Sequence, residues 1–572
     1  MEKTDDNKNT RLKNWIEYLT IVAVIILVAM FCSLFNLRLD LTEDKRYTLS
    51  EPTKKILSEI ENDIFIQVFL DGDIPIPMKR LKRSVQDALD EFRIASRRKI
   101  DYEFINPSET DNIEQREMQH QYLINKGLNP IMIRASDTEG GSSMKIIFPG
   151  MILNSNGIEM SVNFLSNNQS ITHEQNILHS QEGLEYNLIQ AIQTIAADTV
   201  YKVAFIEGYG EFSEIQTADI TLSLANFFTV DRGRIGGNLG ILDGYSAIII
   251  AGPEEEYNEA DKLVIDQYIM QGGKVLWLVE TVAVSADSLA GGSTVGLYRP
   301  VNLEDMLFRY GARINPLIVQ DIECQLISLV VMSENGVRQQ VVPAPWVYNP
   351  LLIPVNDHPI TRNLNRVKGE FVNYIDTVGL DGAIHKKTLL HTSQFTKTVS
   401  PPVIIRLIEA NELPNEREFN RSHLPVAVLL EGKFQSAFTN RPAARISGND
   451  EFNFLRESVN TRMIVVADAD IIRNEVRYTG NQEIPLPMGV DRLTGEVFGN
   501  RDFILNCINW MVDDKGIMEL RSRELKLRLL NSAKVRNEKV KWQVINTVVP
   551  LTLLLFAGLS YSYLRKRKYT TN

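Results

Sequence analysis

The sequence predicts an α/β protein in which a thioredoxin-like α/β unit precedes a doubly wound parallel sheet with a β-rich insertion, all held between two membrane-spanning helices. Three observations carry this expectation. Residues 544–564 contain no charged side chain and run straight into Arg565-Lys566-Arg567-Lys568, while a second apolar run, 15–35, lies near the other end; each has about the 20 residues that a bilayer-crossing helix needs. Between them, short β-branched runs alternate with segments of helical spacing and Gly-rich turns, the pattern of successive βαβ units. From 325 to 460 that alternation weakens into strands and loops such as PAPWVYNPLLIP, which predicts the insertion.

In chain order, residues 1–14 are a short polar tail. The run 15–35 reads as an uncleaved anchor, because Phe31 stands where a signal-peptidase site needs a small residue and equally spoils Cys32 for lipid attachment. The first globular unit, 36–172, opens with a short helix that Ser50 caps and Pro52 enters in its first turn. IFIQVFL at 64–70 has strand composition. Leu81, Val85, Leu89 and Phe92 keep helical spacing over 78–98, and IDYEFI at 100–105 alternates as a second strand. Together they form a βαβ unit with a parallel pair. A helix over 111–127 and a hairpin over 144–164, turning at Asn154-Ser155-Asn156-Gly157, complete it. The unit has no Cys-x-x-Cys pair, which excludes thiol redox chemistry.

The second unit, 173–515, starts with an amphipathic helix over 182–197. KVAFI (202–206) then ends in Glu207-Gly208-Tyr209-Gly210-Glu211, and a helix follows around 219–227. YSAIII (245–250) ends in Ala251-Gly252-Pro253; the helix 258–270 stops at Gly272-Gly273 before KVLWLV (274–279). Strand, Gly-containing loop and helix repeated in this way give a doubly wound sheet. A helix over 303–310 is capped by Gly311, MIVVA (463–467) precedes Asp468-Ala469-Asp470, and a helix covers 503–511. In the juxtamembrane piece, 516–543, Leu525, Leu527 and Leu529 alternate like a strand, and from Ser532 a helix runs into the span, kinked at Pro550. Residues 565–572 form the last tail.

The net charge of −11 over 572 residues, with no basic face outside the tethers, excludes a nucleic-acid binder. The basic block after the last span places it on the cytoplasmic side of a bacterial inner membrane. Arg528, Lys534, Arg536, Lys539 and Lys541 before that span pull the other way. Since two spans put both termini on one side, the expectation is two cytoplasmic ends and a periplasmic body. Cys324 and Cys507 are either a disulfide pair, in an oxidising compartment, or two buried small residues.

Few motifs carry chemistry. Gly272-Gly273-Lys274 ends a helix and precedes a strand, so it is no phosphate-binding loop; ATP hydrolysis then belongs to another chain, and no cofactor is expected. His173, Glu174 and His179 lack the four-residue spacing that puts two histidines on one helix face, so no metal is expected there. There is no nucleophile elbow, and no catalytic residue is assigned. Six residues remain as candidate ligand or partner contacts. Glu207, Glu211, Asp468 and Asp470 lie at strand C-termini, where open sheets collect ligands, although acidic residues there also cap helices. Trp346 and Tyr348 are contacts if exposed and loop anchors if not.

Several stretches resemble the GldG family, accessory membrane proteins of the gliding-motility ABC transporter of Bacteroidota: RLDLTEDKRYTLSEPTKKIL (38–57), YGARINPLIVQDIEC (310–324), PWVYNPLL (345–352) with HPITRNL (358–364), and KWQVINTVVPL (541–551). The resemblance extends over nearly the whole chain. It implies an amidotransferase-like or flavodoxin-like sheet, a role in gliding and association with a GldF-like permease and through it a GldA-like ATPase, but no chemical mechanism; the favoured expectation is a non-enzymatic subunit. In related domains the first strand ends in Gly-His-Gly-Glu; here Tyr209 replaces the His, which weakens any metal or acid–base role at that turn. The alternatives are a periplasmic module that binds a glycan, lipid or peptide, and a carboxylate-dependent hydrolase.

Overall fold

The computed structural model describes residues 48–522, apart from 111, 137–141, 166–171, 197–199, 333–338, 380–381, 383, 413, 448–452 and 481, together with the terminal helices Trp15–Val28 and Ser532–Thr570. Its architecture is mixed α/β.

The first globular part is built as its sequence periods dictate. Ser50 caps the helix Glu51–Ser58, its hydroxyl accepting the Thr53 N–H, with Pro52 in the first turn. The parallel strands Ile64–Val68 and Ile100–Phe104 are linked by the helix Ile76–Ala95, which buries Met78, Leu81, Val85, Leu89 and Phe92 on one face. The hairpin Gly150–Ser155 and Ile158–Asn163 adds two antiparallel strands beside Ile64–Val68. Its turn residues Asn156 (φ 51°) and Gly157 (φ 81°) both take the left-handed conformation that a tight two-residue hairpin demands. The expected single hairpin over 144–164 is in fact two: Ser142–Ile147 pairs with Ile131–Ser136, a strand that the sequence reading missed. Pro149 separates the two ladders, and the Phe148 side chain beside it is buried.

The central sheet has ten strands. Five run parallel in the spatial order Thr229–Gly233, Lys202–Ile206, Ala247–Ala251, Val275–Leu278, Thr461–Val466. In chain order this is 2-1-3-4-5, so the topological switch point lies between Lys202–Ile206 and Ala247–Ala251. The sheet then continues antiparallel through Pro425–Gly432, Ile384–His391, Gln339–Pro354 and Cys324–Met332. The segment expected as an insertion therefore supplies strands of the main sheet as well as smaller sheets around it. PVAVLLEG (425–432) is apolar on both faces because both are covered, and a fully buried strand shows no alternation.

Both faces of the sheet carry a core. One includes Phe205, Ile249, Leu276 and Ile464 with Ile220, Leu224, Phe503 and Ile508 from the helices Ala218–Ala225 and Asn500–Val512. The other includes Ile250, Trp277 and Val465 with Leu263, Ile269, Leu307 and Tyr310 from Glu259–Met270 and Glu304–Tyr310.

The C-terminal helix Ser532–Thr570 is 39 residues long and contains Pro550. Its segment Asn537–Arg567 is long and apolar enough to cross a membrane. Trp15–Val28 is a shorter apolar helix. The remainder of the expected first span and the alternating leucines at 525–529 lie outside the described residues.

Candidate functional site

A parallel sheet directs all its strand C-termini to one edge, so the residues just past Leu278 and Val466 become neighbours because their strands pair in register. Glu280, Asp468 and Asp470 meet there, with a carboxylate oxygen of each within 4.8 Å of the others. Asp468 is fully buried; its two oxygens accept the backbone N–H of Asp470 (2.9 Å) and of Glu370 (3.0 Å). Glu280 accepts the Ala469 N–H at 2.9 Å. The insertion contributes Lys368 and Glu370, 2.7 Å apart, and Arg473 reaches Asp470 (2.8 Å) and Glu370 (3.3 Å). Arg299 approaches Glu280 at 3.7 Å.

The electrostatics divide the acids into two kinds. Burial, followed by the charges of Asp470 and Glu280, pushes the Asp468 carboxyl well above its ordinary range, and burial and Glu280 do the same to Asp470. Glu280 is raised by burial against the pull of Arg299. Burial also opposes charge on Glu370, but Lys368 and Arg473 outweigh it and hold that carboxyl low. The arrangement thus sets three carboxyls whose ionisation is disfavoured beside a Glu370 whose charge is favoured by two cations. The three oxygens are close enough to contact one ion together. A pocket lined by Lys368, Glu370, Asp470, Arg473 and Glu475 opens beside them and measures about 20 Å³. That is room for a water molecule rather than for an organic substrate.

At the switch point, where an open sheet of this order would hold a ligand, the chain's own loop fills the space. The Tyr209 ring stacks on Tyr257 at 3.9 Å, and its hydroxyl donates to Asp261 at 2.5 Å. Glu211 accepts from the Tyr257 hydroxyl (2.5 Å) and from the Tyr209 N–H (2.7 Å). Glu254 and Glu255 donate their N–H groups to the Tyr209 carbonyl at 2.8 and 2.9 Å. Phe212 lies against Gly252, whose φ of +67° lets the backbone turn beneath it. Glu207 forms an ion pair with Arg232 at 2.7 Å. Glu207 and Glu211 therefore organise their own loop.

The structure brings Asp468 and Asp470 together with Glu280, while Glu207 and Glu211 bind partners of their own, Arg232 and Tyr257. Trp346 and Tyr348 are 2% and 3% exposed, their rings 5.1 Å apart in a side cluster with Ile318 and Ile405; they anchor their own strand. Cys324 and Cys507 are both free thiols, raised by burial, Cys324 to about 12. Sequence reading missed Glu280, although it follows its strand much as Glu207 follows its own. It also missed Lys368, on the two-residue strand Val367–Lys368, and Glu370, Arg299 and Arg473, which lie outside any strand or helix with a period to mark them.

The open α/β sheet thus has its switch point occupied by its own loop, and the pocket at its charged edge is water-sized. Residues 201–507, more than half of the chain, match the family described as an ABC-type uncharacterized transport system, and the chain belongs to that family. It is an accessory component of an ABC-type transport system, and this membership together with the apolar helix Asn537–Arg567 points to membrane association. Residues 43–154 match a domain of unknown function. An uncharacterized protein of Borreliella burgdorferi is 21% identical over 571 residues, a match spanning 98% of this chain and 99% of that protein. A solved chain described as mmIFT52 N-terminal domain aligns with a TM-score of 0.31 and 12% identity, over 55% of this chain and 97% of its own.

Proposed function

We propose that the protein is a non-enzymatic accessory subunit of the GldG type. In this reading two spans, 15–35 and 544–564, tether a periplasmic body made of the units 36–172 and 173–515, and both termini are cytoplasmic. The body joins a GldF-like permease and through it a GldA-like ATPase, in a complex that serves gliding motility. The observation that carries the reading is the family match over residues 201–507. The loop packed at the switch point and the water-sized pocket at the acidic edge are in keeping with it.

The test is purification from detergent at the natural expression level. A permease and an ATPase co-purifying in fixed ratio is the expected result; recovery of the chain with neither refutes the assignment. One observation favours the ligand-binding alternative. A cavity of about 460 Å³, lined in part by Asp71, Asp73, Arg116, His120 and Lys145, lies beyond the C-terminal ends of the parallel strands Ile64–Val68 and Ile100–Phe104. Its size falls in the range of small-molecule sites.

A further inference from the structure

His391 ends the strand Ile384–His391, and its register partner on the neighbouring antiparallel strand is Pro425, two residues past His423. The pairing thus brings two histidines 32 positions apart into contact. Their Nδ1 atoms are 3.4 Å apart and their rings nearly perpendicular, at 78°. The His391 Nδ1 also lies 2.7 Å from the Thr392 carbonyl oxygen. The backbone on both sides is pinned: the His423 N–H donates to the Ser393 carbonyl and the Leu424 N–H to the Thr392 hydroxyl, each at 2.9 Å. Beneath the turn, the buried Asp321 accepts from the Ser393 N–H (2.7 Å) and hydroxyl (2.5 Å). His423 itself is exposed, with φ +51°.

We propose that His391 and His423 bind one divalent transition-metal ion of the zinc class, each through Nδ1, with solvent completing the coordination. Zinc–nitrogen bonds of about 2.0–2.1 Å at a tetrahedral angle put two nitrogen ligands about 3.3–3.4 Å apart, the separation seen here. Without an ion, two like nitrogens face each other, and the ring tautomers decide whether the His391 Nδ1 donates to the Thr392 carbonyl or accepts from the His423 Nδ1. A metal ion takes both Nδ1 lone pairs once each ring carries its proton on Nε2, a tautomer shift that releases no net proton from neutral imidazoles. The pinned turn sets the ring spacing in advance, and the exposure of His423 gives the ion its entry.

The experiment uses the full-length protein in detergent, purified without a polyhistidine tag, stripped with chelator and titrated calorimetrically with Zn²⁺ alone. One saturable site per chain is expected. His423→Ala weakens it by about tenfold or more, since even outer-shell partners of a metal are worth about that much, while the melting of the metal-free protein stays unchanged. His391→Gln provides the second variant and gives the same loss. Absence of saturable binding in the wild type overturns the proposal. So does binding that survives both histidine variants, including binding that is instead lost in Asp470→Asn.

Discussion

The substitution Glu280→Gln should make the protein relatively more stable at alkaline than at acid pH. The Glu280 side chain is 15% exposed, and its carboxylate shares a 4.8 Å neighbourhood with those of Asp468 and Asp470. Two full charges at that separation repel by about 3–4 kcal/mol at an effective dielectric constant of about 20. Arg299 and Arg473 cancel part of this, which leaves about 1–2 kcal/mol as the gain from removing one charge. The sign follows from the direction of the shifts. All three carboxyls are raised in the folded state, so the stability they allow at low pH is lost as pH rises from the ordinary carboxylate range through their folded values. Glu370, held low, works in the opposite sense, its contribution being lost as pH falls, and it is common to both proteins. The amide that replaces the carboxylate keeps an acceptor for the Ala469 N–H and removes one of the repelling charges. Thermal melting of variant and wild type at about pH 5 and about pH 8.5 should differ little at the first value, with the variant ahead by about 1–3 °C at the second. A variant destabilised equally at both values would refute the reasoning, since the hydrogen-bonded framework would then outweigh the charge.

Gly252→Ala places a Cβ 2.9 Å from the Phe212 ring at a φ of +67°; left-handed backbone and overpacking together cost about 2–4 kcal/mol, read by urea denaturation. A neutral outcome would mean that the loop does not close the switch point. Trp346→Ala should cost about 3–5 kcal/mol in the same measurement, as for any large buried aromatic; a stable variant that loses only its partners would restore Trp346 as a contact. For topology, alkaline phosphatase fused at Gly240 should be active, and activity only of a cytoplasmic reporter there would reverse the proposed orientation. Exchanging 544–564 for a poly-leucine span should release the permease more than the same exchange at 15–35, because Ala557, Gly558, Ser560 and Ser562 offer small side chains for close helix contact; the opposite ranking would refute it.

How much of this was legible in the sequence depends on whether a residue belongs to a periodic element. The strands of the βαβ unit and the helix Ile76–Ala95 announce themselves through alternation and 3.6-residue spacing, because each buries one face only. Thr229–Gly233 was missed because it is an edge strand of half-exposed TVDRG, with no apolar face to repeat. Asp468 and Asp470 were placed at the ligand edge because they follow a strand that reads clearly. Trp346 and Tyr348 illustrate the converse: Gln339–Pro354 is a long strand despite four prolines, and a sequence reader takes those prolines for a loop. Lys368 and Glu370 were invisible because their proximity to Asp468 is decided across about 100 residues of chain, by the strand Val367–Lys368 pairing with Leu351 and Leu352. That pairing also says what the charged cluster joins. Glu280 and Asp468 belong to the parallel strands, Glu370 to the segment beyond them, and the Glu370 N–H donating to Asp468 ties the two together. A displacement of that segment relative to the sheet must break this hydrogen bond and uncover a buried carboxyl. It is therefore at this cluster that a shift of the segment relative to the sheet would be felt first.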